Sequence, residues 1–199
     1  MIRLWNLFLW LLFTIGGFLL GGVMFSQLIP QLVQHKDIQA ISDDHNPGAT
    51  NVFVNCGVKL GLLCLVLDMA KGFLPIFLAC RILDMDNMKF AMVLAAPVLG
   101  HAVAPFYHFH GGKCIATAFG EMLALLPYNA IGGLLALLYV LFSTVFKISP
   151  NRIRSLITFG LFGLISVVYL SVRGEYSVAL GCFLISLIAV VKHSKYFCR

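Results

Sequence analysis

Glycine, lysine and histidine crowd into the stretch Gly100–Thr117, GHAVAPFYHFHGGKCIAT, which interrupts a chain made mostly of apolar residues. Gly111-Gly112-Lys113 sets two residues able to take positive φ beside a cation, at the start of a new apolar run. Backbone N–H groups left bare by glycine, an ammonium and a helix N-terminus together make a seat for phosphate. The plainer reading is a glycine turn followed by a lysine that snorkels at a helix end. His101, His108 and His110 add imidazoles to the same place. The H-x-H spacing of His108 and His110 would put both rings on one face of a strand. No Cys or carboxylate stands near them at metal-ligand spacing, so donation to a phosphate is preferred and no metal site is expected.

Four further places carry chemistry. Asp68 and Lys71 stand three apart in an apolar stretch, so on a helix their side chains are neighbours. Ionisable groups inside an apolar span are costly and point to function, with a structural ion pair as the alternative. Lys59, nearer the start of that stretch, reads as a snorkelling residue, and Glu121 is either a buried acid or an interfacial one. The turn Asn46–Asn51, NPGATN, concentrates amides, a hydroxyl and glycine backbone that hydrogen-bond phosphate or hydroxyl oxygens without titrating. Asp43, Asp44 and His45 precede it and read equally as a solvated face. His193 follows the last apolar run, between Lys192 and Lys195; it is either an interfacial residue or an active-site imidazole. No Ser–His–Asp nucleophile set is evident.

The elements that must position these residues are membrane helices. Of 199 residues, 60% are hydrophobic and 11% charged, where a soluble domain carries about 25% charged residues. The low charge runs the whole length, which excludes a soluble domain on an anchor and argues for one integral membrane unit over residues 1–199. A net charge of +6 then reflects cytoplasmic loops and not nucleic-acid binding. The cysteines show no CxxC pairing and read as small hydrophobes.

Seven apolar segments are expected to form seven transmembrane helices: 4–33, 52–83, 90–107, 114–127, 130–146, 155–172 and 176–191. The first is too long for a signal-peptide core and lacks a cleavage site. Polar connections fall at His35–Asn51, Arg81–Lys89, Lys147–Arg154 and the tail after Val191. With seven spans, one side collects Lys36, Lys113, Lys147, Arg152, Arg154, Lys192, Lys195 and Arg199, the other Arg3, Arg81, Lys89 and Arg173. That bias predicts the N-terminus outside and the C-terminus in the cytoplasm. It also puts every chemically loaded segment on the cytoplasmic side, as a composite site requires.

Taken together, these segments resemble the PlsY family, bacterial membrane glycerol-3-phosphate acyltransferases that use acyl phosphate. The resemblance runs from about Asn46 to His193. One family motif, roughly GSGNxGATN followed by GxxxxxxDxxKG, is matched by Asn46, Gly48, Ala49, Thr50 and Asn51, then Gly61, Asp68, Lys71 and Gly72. A second, roughly GHxxPxFxxFKGGKGVAT, is matched by Gly100, His101, Pro105, Phe109, Gly111, Gly112, Lys113, Ala116 and Thr117. Arg152 followed by Ser155 resembles a serine-containing stretch, and His193 a final histidine. The chain departs from the pattern at Asp43-Asp44-His45, which replace GSG, and at Val54, which replaces an arginine. His110 replaces a lysine, Cys114 a glycine and Tyr196 an asparagine.

The resemblance implies transfer of a fatty acyl group from acyl phosphate to the 1-hydroxyl of glycerol 3-phosphate, giving lysophosphatidic acid and phosphate. It implies phosphate binding by Asn46, Gly48, Thr50, Asn51, Lys71, Gly111, Gly112, Lys113, Thr117 and Ser155. His193, Asp68 and His101 become candidates for the proton transfer. No cofactor or metal is implied. The partners would be the two substrates, membrane lipid and an enzyme that makes acyl phosphate, in the bacterial inner membrane with the site facing the cytoplasm. Two other readings stay open: a catalytically silent membrane paralog with a regulatory or scaffolding role, and a small transporter of anionic solutes.

Overall fold

The computed structural model describes residues 2–194, and among them it is helical with no strand. Lys195, Tyr196 and Arg199 of the expected basic tail lie outside the described residues. The elements in order are α1 (Ile2–Gly21), α2 (Phe25–Gln34), α3 (Ile38–Ile41), α4 (Ala49–Cys56), α5 (Val58–Ile82), α6 (Phe90–Val103), α7 (Ile115–Leu125), α8 (Ile131–Val140), α9 (Asn151–Val172) and α10 (Tyr176–His193). A π-helical turn, Leu141–Val145, extends α8.

All seven apolar segments form helices, and among the described residues four helices are long and apolar enough to cross a membrane by length and composition: those at Leu4–Gly21, Val58–Ile82, Asn151–Val172 and Tyr176–His193. Phe90–Val103, Ile115–Leu125 and Ile131–Val145 are shorter. At 1.5 Å per residue, the 14 residues of α6 give about 21 Å, short of a hydrocarbon core of about 30 Å. Composition overstates these segments because α6 owes its apolarity to burial inside the protein. Most of its residues are buried, and α1 and α10 both pack against it.

The first two segments are each broken, for different reasons. In the first, α1 stops at Gly21, and the chain turns through Gly22 and Val23 before α2 begins. The turn leaves the Val23 carbonyl without a helical partner, and the Lys71 ammonium donates to it at 2.5 Å. Lys71 also pairs with Asp68 at 2.8 Å, and Asp68 accepts from the Ser26 hydroxyl at 2.5 Å. Charges on α5 therefore hold the break between α1 and α2. In the second segment, Gly57 at φ +90° separates α4 from α5, a conformation open to glycine and costly for other residues. The hinge folds α4 back, so that Phe53 lies where a side chain on Gly61 would stand.

The core joins α5, α6, α7, α8, α9 and α10, with Phe90, Phe159, Phe162, Leu135 and Ile185 fully buried. At one close joint α5 lies on α7. A Cβ on Gly72 would overlap the Thr117 carbonyl, and one on Gly120 would overlap the Met69 carbonyl. Glycine lets the two backbones meet, the usual device for helices packed in lipid. This joint carries Asp68 and the loop before α7 to the same end of the bundle.

Candidate active site

The site is built where helices begin. α4 starts behind Gly48, α7 behind Cys114 and α9 behind Pro150. The opening residues of all three line one cavity of about 500 Å³. Gly48, Ala49, Thr50 and Asn51 come from α4, with Asp44 and Asn46 just before it. Lys113, Cys114, Ile115 and Ala116 come from α7, and Asn151, Arg152, Arg154 and Ser155 from α9. Asp68, His101, Tyr139 and His193 complete the polar wall, and Leu65, Met69 and Phe119 the apolar part. A helix N-terminus offers unpaired N–H groups and about half a positive charge. Three such ends, with Lys113, Arg152 and Arg154 among them, make this a place for anions.

Local hydrogen bonding explains the turn before α4. The Asn51 amide donates to the Asn46 carbonyl at 2.8 Å and to Asp44 Oδ1 at 2.7 Å. A Cβ on Gly48 would stand 2.5 Å from the Asn46 side-chain nitrogen, so glycine lets that amide lie over the turn. Lys113 reaches across from the next loop to Asp44 Oδ2 at 2.5 Å. Burial of the Asp44 carboxyl opposes its ionisation, but the Lys113 hydrogen bond, the Asn51 hydrogen bond and the charge of Lys113 outweigh it. Asp44 therefore sits below the ordinary value of 3.8.

The Gly-Gly-Lys loop works differently from its expected role. Neither Gly111 nor Gly112 takes positive φ; His108, Phe109 and Cys114 do. Nor does either glycine line the cavity. The Gly112 N–H donates to the His101 carbonyl at 3.1 Å, and a Cβ on Gly111 or Gly112 would strike α6 at His101 and Ala102. The glycines let the loop lie flat on the end of α6, which aims Lys113 into the cavity.

At the opposite wall, α9 meets the end of α10. Arg152 Nε donates to the His193 carbonyl at 2.6 Å, a cation on a helix C-terminus. His193 Nδ1 lies 2.7 Å from the Ala189 carbonyl. A carbonyl only accepts, so Nδ1 carries the hydrogen and Nε2 presents a lone pair. His193 is 1% exposed and Ser155 1%, yet His193 Nε2, Ser155 Oγ and His101 Nδ1 have no protein partner. Buried polar atoms are normally satisfied, so these three orphans among the residues lining the cavity mark where ligand atoms belong. The Arg154 guanidinium lies over the Tyr139 ring, 5.2 Å from its centroid, and is thereby held at the rim.

Of the residues expected from the sequence, the cavity gathers Asn46, Gly48, Thr50, Asn51, Asp68, His101, Lys113, Ser155 and His193. Lys71, Gly111, Gly112 and Thr117 stand behind its wall. Lys71, expected as a phosphate cation, is spent instead on Asp68 and the Val23 carbonyl, with no exposed side-chain surface. Asp68 lines the cavity with its two oxygens engaged by Lys71 and Ser26. Thr117 is fully buried, at the α5–α7 joint. Among the described residues, no three His, Cys, Asp or Glu side chains gather as a metal site. Sequence reasoning passed over Tyr139 and Asn151, and used Arg152 and Arg154 only to orient the chain, with Arg152 also introducing Ser155. The signal lay in the order of residues: cations in the first turn of a helix oppose its dipole, so Arg152 and Arg154 just after Pro150 needed a reason other than stability.

A family model described as glycerol-3-phosphate acyltransferase matches residues 11–199. The chain is 32% identical over 185 residues to the glycerol-3-phosphate acyltransferase of Hydrogenobaculum sp., covering 92% of this chain and 88% of that protein. It is 35% identical to the one from Maridesulfovibrio salexigens over 67% of each chain. With the one from Myxococcus xanthus it is 40% identical over 67% of this chain and 68% of the other. Among solved structures, it resembles PlsY (YgiH), an integral membrane glycerol 3-phosphate acyltransferase, in its glycerol 3-phosphate form. The TM-score is 0.79 at 28% identity, covering 92% of this chain and 88% of that one. The lysophosphatidic acid form gives a TM-score of 0.78 at 26% identity. The chain belongs to the glycerol-3-phosphate acyltransferase family.

Proposed function

From that membership, we propose that this cavity transfers a fatty acyl group from acyl phosphate to the 1-hydroxyl of glycerol 3-phosphate. The observation that carries the reading is the convergence of three helix N-termini and three cations on a cavity whose lining includes buried, unpartnered polar atoms. Both substrates bring a phosphate, and a site with this much positive potential suits two. Lys113 and the N-terminus of α4 form one side, Arg152, Arg154 and Ser155 the other.

Acyl phosphate already contains a good leaving group, so the protein's work is positioning and charge stabilisation. The 1-hydroxyl oxygen bonds to the acyl carbon, the bond from that carbon to the phosphate oxygen breaks, and the hydroxyl proton must leave. His193 Nε2 is placed to accept the hydrogen bond of that hydroxyl, and the departing phosphate is the final home of the proton. Asn46, Thr50 and Asn51 position substrate oxygens; Lys113 and the arginines hold charge. The acyl tail remains in lipid beside the apolar wall. The lysine and arginine bias supports a cavity that faces the cytoplasm at the bacterial inner membrane, within reach of an enzyme that makes acyl phosphate.

Sealed inverted vesicles carrying the overproduced protein, compared with vesicles lacking it, test this reading. With palmitoyl phosphate present, labelled glycerol 3-phosphate added outside should become lysophosphatidic acid, with one phosphate released per product. Transfer only from palmitoyl-CoA would overturn the donor, and transfer only in right-side-out vesicles would overturn the orientation.

A further inference from the structure

Asp44 stands out in the cavity because it is an anion where anions are to be bound. Where the family resemblance expects serine, this chain places a carboxylate. Each of its oxygens already has the kind of donor a phosphate would use. Oδ2 takes the Lys113 ammonium at 2.5 Å. Oδ1 takes the Asn51 amide at 2.7 Å and faces the Asn46 N–H at 3.3 Å. Lys113, Asn46 and Asn51 are three of the groups assigned above to substrate phosphate. The Asp44 side chain remains 45% exposed and that of Lys113 24%, so the pair can be exchanged without opening the core.

We propose that Asp44 is a specificity-determining residue, a built-in competitor that occupies the phosphate donors of Lys113 and Asn51 until a substrate phosphate displaces it. This rests on the acyltransferase reading of the cavity and adds a property of this chain. A carboxylate in the seat weakens binding of every ligand that needs Lys113, and leaves binding of a ligand without phosphate untouched. The chain therefore discriminates less between glycerol 3-phosphate and glycerol than a serine at this position would allow. Specificity is a difference of affinities, and a competing internal group changes it as surely as a new contact does.

Two measurements on Asp44→Ser and the near-isosteric Asp44→Asn test this. In acyl transfer, KM for glycerol 3-phosphate should fall about fivefold in both variants, the scale on which a partly exposed ion pair acts. The ratio of kcat/KM for glycerol 3-phosphate over glycerol should rise by the same factor. Independently of turnover, inorganic phosphate should raise the melting temperature of each variant at lower concentration than it does for the parent protein. An unchanged or raised KM, with phosphate protection unchanged or weakened, would overturn the proposal and make Asp44 a support that holds Lys113 in place. Phosphate protection that sharpens in protein inactive with acyl phosphate would uphold the role of Asp44 as a competitor while contradicting the transfer reaction. The two ideas therefore fail separately.

Discussion

His193 shows how one residue is prepared by its surroundings. The Ala189 carbonyl takes its Nδ1 hydrogen, Arg152 ties down its own carbonyl, and Phe159 lies beside the ring with centroids 6.5 Å apart. Only Nε2 is left, unpartnered, on the cavity wall. Replacing His193 with alanine should lower kcat about 100-fold, the lower range for a positioned proton-transfer group. KM for glycerol 3-phosphate should change less. A loss confined to KM would make His193 a binding residue only. The position of His193 after the last apolar run was visible in the sequence, but its environment was not, because Arg152 and Phe159 come from another helix. Lys71 shows the opposite error. A cation beside motif residues reads as a phosphate ligand, while its partners are Asp68, three residues earlier on the same helix, and the Val23 carbonyl, which tertiary packing brings to it.

At the scale of elements, the joint between α5 and α7 decides whether the site exists. It positions Asp68 and Met69 against the start of α7, and it depends on backbones meeting at Gly72 and Gly120. Gly120→Ala forces a methyl group into the Met69 carbonyl, and no flexible side chain is there to yield. Overpacking of this kind costs about 1–3 kcal/mol, so the variant should unfold at lower temperature and lose activity together. Unaltered melting with normal turnover would show that the helices separate without cost. The apolar segments themselves were legible from hydropathy. Their interruptions were not equally so. Gly57 could be suspected as a hinge, but the break after Gly21 falls in an uncharged stretch, and the groups that stabilise it lie on α5. The length of the short helices was not legible either, since a run of apolar residues looks the same whether lipid or protein surrounds it, and α6 is largely surrounded by protein.

At the scale of the whole molecule, the fold is a device for bringing loops together. The turn at Asn46–Asn51, the loop ending at Lys113, the start of α9 and the end of α10 are far apart in sequence and share one cavity. Charge bias and the alternation of spans led to the expectation that these segments share one side. Sequence reasoning read a helix start behind Lys113, but not that the Asn46–Asn51 turn and the start of α9 also enter as helix N-termini, since cap geometry is set by residues such as Gly48 whose types alone do not announce it. We propose that this assembled cavity, through Lys113, carries acyl transfer. Its most direct test is lysophosphatidic acid formation by the purified protein from palmitoyl phosphate and labelled glycerol 3-phosphate, beside Lys113→Ala shown to be folded by its melting curve. We predict product from the first and none from the second; equal turnover by both proteins would contradict the assignment of the phosphate seat and with it this account of the site.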